Sequence, residues 1–372
     1  MKKTLNSALG AIAFSFIYGA SVAQGGTADI SAFLNAEAAD MNKLIGAYVG
    51  PGIHGLSYGM ASGWFNTAKT HKLGGFDLGV TVSAVMLPTA DETFDPTRLG
   101  LSTHTIPSSN IAPTVIGPKS DPSYATYKFV SNGVTIPQPG YAQIAGPEGL
   151  DLKKAIGSNA VPVPMVQAGI GLPWNTDLKI RLLPEQKSSD GKSNLKMLGF
   201  GLMHDIKQHF PGMKLMPIDL SVLVAYNSIS GGTSLVNTRT DPASPYFGQP
   251  NVDDGVPYSS DGTSNYTFNS WLFQAMISKK VSIITFYGGI GYGTVTTKAA
   301  ITGSFVLDNP AFRGVPNPAP VTIKDPFSTT YKNNGMKLTA GMRFKFGPFY
   351  LSGDYTLQSY NVLSVGAGLS IR

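Results

Sequence analysis

Residues 349–371 read FYLSGDYTLQSYNVLSVGAGLSI. Phe349, Leu351, Gly353, Tyr355 and Leu357 alternate with Tyr350, Ser352, Asp354 and Thr356. After a polar break, Leu363, Val365, Ala367, Leu369 and Ile371 alternate with Ser364, Gly366, Gly368 and Ser370. Successive side chains of a strand point to opposite faces, so each segment carries one apolar row and one small or polar row. The same pattern stands in residues 76–84, where Phe76, Leu78, Val80, Val82 and Ala84 oppose Asp77, Gly79, Thr81 and Ser83, and it recurs at 178–182, 218–226, 271–277 and 338–344. Most segments run roughly nine to thirteen residues, the length of a tilted strand crossing a bilayer. Strands of soluble sandwiches average about five or six.

The connections agree. Working backward, a short turn at Phe346-Gly347-Pro348 precedes a long stretch from Thr297 to Gly335, followed by a turn at Lys279-Lys280, a long polar loop over 229–265 and a short turn from His209 to Met213. Short turns on one side and long loops on the other are how outer-membrane barrels are built. Ten strands are expected, at 75–87, 161–172, 177–184, 194–206, 216–228, 266–278, 281–297, 336–346, 349–357 and 362–371, with Leu56 to Phe65 and Tyr124 to Val130 as candidates for more. Both termini are expected on the periplasmic side. Aromatics gather at the short turns (Phe344, Phe346, Phe349, Tyr350, Trp174, Phe210), as an interfacial girdle requires.

The 372-residue composition fits this reading. Charged residues make up 13%, against about 25% in soluble domains. The net charge of +6 includes no basic block, so no nucleic-acid partner is expected. Zero cysteines exclude disulfide frameworks, thiolate metal sites and cysteine nucleophiles.

Lys2 and Lys3, the apolar run from Ala8 to Val22 and the small residues Ser21-Val22-Ala23 predict a secretory signal peptide over 1–23. The next segment, 24–52, carries a helix from Asp29 with Ile30, Phe33, Leu34, Ala38, Met41, Leu44, Ile45 and Tyr48 on one face, expected to stop at Gly50-Pro51-Gly52. Glu37 interrupts that face and needs either a way past its edge or a basic partner. Packing on its own domain is the plainer expectation; a plug inside the barrel is the sharper one. Residues 53–372 form the barrel.

Catalytic signals are thin, and neither a cofactor nor an enzymatic activity is expected. Gly55-Leu56-Ser57-Tyr58-Gly59 matches G-x-S-x-G without the strand–turn–helix setting of a nucleophile elbow. His204, Asp205 and His209 resemble a metal or acid–base group, but on a strand His204 and Asp205 diverge, which favours ordinary polar residues near a turn. If the apolar rows face lipid, Asp77, Thr81, Lys179, Arg181, Asp219, Gln274, Thr339, Arg343 and Asp354 line the lumen. Charge is costly on the lipid face, so Lys179, Arg181 and Arg343 point inward. There they either hold an anionic headgroup or, the favoured reading, pair with Asp77, Asp219, Asp354 or Glu37.

The helix, the run from Leu56 to Lys69 and the stretch Gly199-Phe200-Gly201-Leu202-Met203-His204-Asp205-Ile206-Lys207-Gln208 resemble a family of predicted outer-membrane barrels of unknown function. More distantly the architecture is similar to the FadL family of fatty-acid and hydrocarbon channels, whose N-terminal segment plugs a barrel. That family's Asn-Pro-Ala signature is absent, and the chain ends in Arg372 where barrel-assembly signals commonly end in an aromatic. The expectation is an all-β transmembrane antiparallel barrel of 10–14 strands with a plug helix and long extracellular loops, exported to a bacterial outer membrane. The resemblance implies passive uptake of hydrophobic or amphipathic small molecules, with outer-membrane lipid and the barrel-assembly machinery as partners. A structural or surface-binding barrel and a lipid hydrolase using Ser57 are the alternatives.

Overall fold

The computed structural model describes residues 33, 36–119, 121–131, 134–136, 143–151, 153–154, 160–187, 193–213, 215–234, 259–307 and 321–371. The expected signal peptide lies outside them. Ten strands close a barrel: β1 (Phe76–Met86), β2 (Ala160–Leu172), β3 (Thr176–Lys187), β4 (Ser193–Asp205), β5 (Asp219–Ser234), β6 (Thr263–Val281), β7 (Ile284–Thr302), β8 (Phe327–Phe346), β9 (Phe349–Leu357) and β10 (Val362–Ile371). Each pairs antiparallel with its neighbours in the chain, and β1 closes on β10 from Phe76↔Ile371 to Val85↔Val362. Closure leaves no free edge, the condition a sheet must meet in lipid.

The apolar rows face outward: Leu78, Leu182, Leu198, Phe200, Phe273, Ile290, Leu338, Leu351 and Val365 are all exposed. No helix among the described residues is long and apolar enough to cross a membrane. Neither extra strand joins the barrel. Leu56 to Met60 belong to a helix, and Thr126–Ser131 pairs in a separate small sheet with Thr105–Pro107, Val134–Ile136 and Ile144–Ala145. Four strands exceed the expected length: β5 has 16 residues, β6 and β7 have 19 each, and β8 has 20. Their Ser-, Thr- and Asn-rich ends, assigned to loops by composition, keep pairing beyond the apolar belt, from Ser264↔Ile301 to Ile301↔Phe327.

The helix α1 runs from Ala38 to Met60, straight through Gly50-Pro51-Gly52. Pro51 has no N–H to give the carbonyl four residues back. The helix persists because its surroundings hold it: Val115 donates its N–H to Tyr48 O at 2.9 Å, and a Cβ on Gly52 would stand 2.8 Å from Val115 Cγ1. Met41, Leu44, Ile45 and Tyr48 form the expected buried face. Phe33 packs edge-on against Tyr127, and Glu37 meets His104 Nδ1 at 2.6 Å.

α1 lies inside the barrel, with Gly55 and Gly59 against Val161 and Val163 of β2 and Ser57 Oγ 3.3 Å from Thr297 Oγ1 of β7. Its first turn is clasped by the loop after β1, where Ser102 N–H and Oγ donate to Asp40 and Lys43 Nζ reaches Gly100 O. The described chain therefore starts at the long-loop end, and residues 61–75 descend through the lumen to begin β1. The amino terminus itself, expected on the periplasmic side, lies outside the described residues.

Candidate functional site

The descending segment fills the lower lumen. Trp64 and Phe65 are 2% and 6% exposed and pack with Met203, Leu223, Leu272 and Met276 from the wall. Small wall residues make the room: a Cβ at Gly201 would stand 3.0 Å from Trp64 Cζ3, and one at Gly289 3.0 Å from Phe65 Cζ. The inward row of β4, ambiguous in sequence because both its faces are apolar, is thus the seat of the plug.

Of the six charged residues expected in the lumen, five are buried: Asp77, Lys179, Arg181, Arg343 and Asp354. They divide into separate groups. Arg181 Nη1 donates to Met60 O at 3.1 Å, Nη2 to Ser62 O at 3.0 Å and Nε to Gln167 Oε1 at 2.9 Å, with the guanidinium 3.8 Å above the Trp64 ring. Lys337 Nζ donates to Ala61 O at 2.8 Å. Two cations thus cap the carbonyl end of α1, where the helix dipole is negative and its last carbonyls lack intrahelical donors. Asp354 accepts from Tyr287 Oη at 3.0 Å. Arg343 donates to Asn66 Oδ1 at 2.9 Å and lies 4.2 Å over the Tyr350 ring.

Lower down, Lys179 Nζ lies 3.8 Å from Asp77 Oδ2. His71 Nδ1 is 2.8 Å from Asp177 Oδ2, and its Nε2 is 3.3 Å from Ser370 Oγ and 3.7 Å from Asp77 Oδ2. Ser370, His71 and Asp177 are each 1% exposed, and this Ser–His–Asp chain links the segment to β3 and β10. Asp219 stands apart, half-buried, accepting weakly from Ser278 Oγ at 3.4 Å. Arg181 and Lys337 are thus held by backbone carbonyls at the end of α1, an arrangement neither reading named, whereas Lys179 lies beside Asp77, one of the partners the pairing reading named. Lys337 and Asp177 share the inward parity of Thr339 and Lys179, so their rows could have revealed them; His71, in an aperiodic stretch, carries no such signal.

Ser57 Oγ donates to Ile53 O inside α1 and lies 3.3 Å from Thr297 Oγ1, so the G-x-S-x-G match is a helix interior and not the strand–turn–helix setting of a nucleophile elbow.

Above the cation cap the lumen is apolar. A cavity of about 100 Å³ lies between Ile45, Val49, Ile53 and Leu56 of α1 and the walls of β6, β7 and β8, roofed by Val115 and Leu150. A second, of about 30 Å³, shares Leu56 and Phe268 with it and reaches Pro162, Val163, Pro164, Leu183, Leu195 and Met197. This one backs onto the weakest seam of the barrel. β2 pairs with β3 only from Val166↔Leu182 downward, although its ladder to β1 continues to Met86↔Ala160. Pro162 and Pro164 lack the N–H a ladder needs. Across the seam, β3 bulges so that Pro184 and Glu185 together face Lys196 of β4.

The model of a family described as Family of unknown function (DUF6588) matches residues 1–371. No curated protein matches the chain. Among solved structures, the chain is similar to Ail, the attachment invasion locus protein of Yersinia pestis, at 7% identity and TM-score 0.25 over 80% of this chain and 98% of that one. It is similar to the translocator domain of the autotransporter NalP from Neisseria meningitidis at 12% and 0.29 over 80% and 88%. The third is the Pseudomonas putida toluene transporter TodX, at 9% and 0.25 over 80% and 68%. Scores at this level license no transfer of function.

Proposed function

The chain belongs to the family of unknown function DUF6588, and from that premise we propose that it is an exported outer-membrane channel for passive uptake of hydrophobic or amphipathic small molecules, gated by its N-terminal segment. The observation that carries this reading is the pair of neighbouring apolar cavities, divided by Leu56 and Phe268, of which one lies under the loops along α1 and the other reaches the unpaired stretch between β2 and β3. Below them the plug and the cations close the lumen, which disfavours a straight aqueous path. An apolar solute would partition into the upper cavity, pass Leu56 and leave sideways into lipid where residues 160–165 and 183–187 are unzipped. Apolar burial, at about 25 cal/mol per Å², supplies the driving force, and no bond is made or broken.

Zipping the seam tests this. The chain has no cysteine, so Pro164→Cys with Leu183→Cys gives a clean pair for a short thiol cross-linker. In proteoliposomes, cross-linking should stop uptake of an apolar fluorescent solute, and an uncross-linked sample should retain it. Equal uptake in both would remove the sideways route.

A further inference from the structure

The sequence group His204, Asp205 and His209 separates as strand geometry requires, but two of its members meet. Asp205 Oδ1 turns away to accept Lys207 N–H at 2.8 Å, while the turn after β4 folds back so that His204 Nε2 and His209 Nε2 face each other at 2.9 Å with rings at 30°. The far side of His204 is fixed: its Nδ1 lies 2.8 Å from Thr176 Oγ1, whose hydroxyl also reaches Trp174 O at 3.3 Å. With the hydroxyl proton given to that carbonyl, which can only accept, Nδ1–H donates to Thr176 and Nε2 keeps its lone pair. Gln208 Nε2, 3.2 Å from His204 Nε2, has its two hydrogens committed to Trp174 O at 3.0 Å and Asp205 O at 2.8 Å. The His204 lone pair is therefore left to share a single proton with His209.

We propose that His204 and His209 form a binding site for a borderline divalent transition ion such as Zn²⁺ or Cu²⁺ at the short-turn end of the barrel. Two imidazole nitrogens bound at about 2.0–2.1 Å with a tetrahedral angle stand about 3.3 Å apart, so a few tenths of an ångström of opening turns the shared-proton contact into a chelate. The proton leaves to solvent, and water fills the remaining positions. Imidazole ligands select Zn²⁺, Cu²⁺ and Ni²⁺ over Mg²⁺ and Ca²⁺. A hydroxyl holding Nδ1 is the outer-sphere contact that orients a ligating histidine. Because His209 is on the turn and Thr176 begins β3, a bound ion would tie the 206–213 turn to the ends of β3 and β4. This site is independent of the transport reading.

The test uses the tag-free full chain in detergent. Cu²⁺ at one equivalent should give an electron paramagnetic resonance signal with two nitrogen couplings, and Zn²⁺ titration calorimetry should give one site of roughly micromolar Kd. His204→Ala and His209→Ala should each weaken binding at least about tenfold, Thr176→Val by about tenfold with the two-nitrogen signature kept, and His104→Ala not at all. Thermal unfolding of each apo variant separates loss of a ligand from loss of fold. Coupling to one nitrogen, binding that survives the His204→Ala/His209→Ala double variant, or no binding up to about 1 mM would overturn the proposal.

Discussion

Arg181 shows how a single side chain sets the interior. It sits at 0% exposure and holds two carbonyls and the Trp64 ring. Arg181→Met keeps most of the volume but leaves Met60 O and Ser62 O without these donors, a cost of about 1–3 kcal/mol for each buried group left unsatisfied. Urea unfolding in micelles should show that loss, and the Trp64 emission should shift as its cation goes. At the other end of α1, burial pushes the Asp40 carboxyl up, but hydrogen bonds from Ser102 outweigh it, assisted by Lys43, and hold it below the ordinary aspartate range. A group depressed on folding contributes stability above its unfolded pKa and loses it as pH falls through the folded value. The Ser102 clasp should therefore hold at neutral pH and release only in acid below the usual aspartate range. A thiol-reactive label on Thr103→Cys, next to Ser102 in the clasping loop, reads it, and Asp40→Asn should leave the loop released at every pH.

The strands were legible because each carries its own two-row signal, and all ten lie within a few residues of expectation except where polar ends keep pairing. The helix was less so. Its buried face was written in Met41, Leu44, Ile45 and Tyr48, yet its length depends on Val115 and on the valines of β2, far along the chain, which override a local Gly-Pro-Gly stop signal. The seam hid in plain view, since Pro162 and Pro164 stood inside an expected strand and only pairing reveals which neighbour they fail to bond. The charge rows named Asp77 among the partners for Lys179 but not the carbonyls that hold Arg181, because the plug segment has no period. At this scale the fit of α1 to β2 is the tightest: a Cβ on Gly59 would stand 2.5 Å from Val163 Cγ2 and 2.9 Å from Val85 Cγ2. Gly59→Leu should cost about 1–3 kcal/mol through overpacking, measured by the same unfolding assay. If instead the barrel tolerates it unchanged, α1 is not seated against β2.

For the whole molecule, the scarcity of charge follows from architecture: the outer rows meet lipid, and the inner charges are spent on holding a plug rather than coating a water-filled pore. That leaves α1 with two possible roles, a moving gate or a fixed inner wall. The helix carries five glycines and an internal proline, residues that weaken a helix by about 1 kcal/mol and about 3 kcal/mol each, so it depends on its surroundings for its shape. A staple separates the roles. Ser57 Oγ and Thr297 Oγ1 are 3.3 Å apart and buried, so Ser57→Cys with Thr297→Cys places two sulfurs in contact between α1 and β7. Oxidised, the pair should hold α1 against the wall and suppress uptake of the apolar solute in proteoliposomes, with recovery on reduction. Uptake that is equal in the oxidised and reduced states would make α1 a fixed wall and move the gate to the Val115–Leu150 roof or to the seam between β2 and β3.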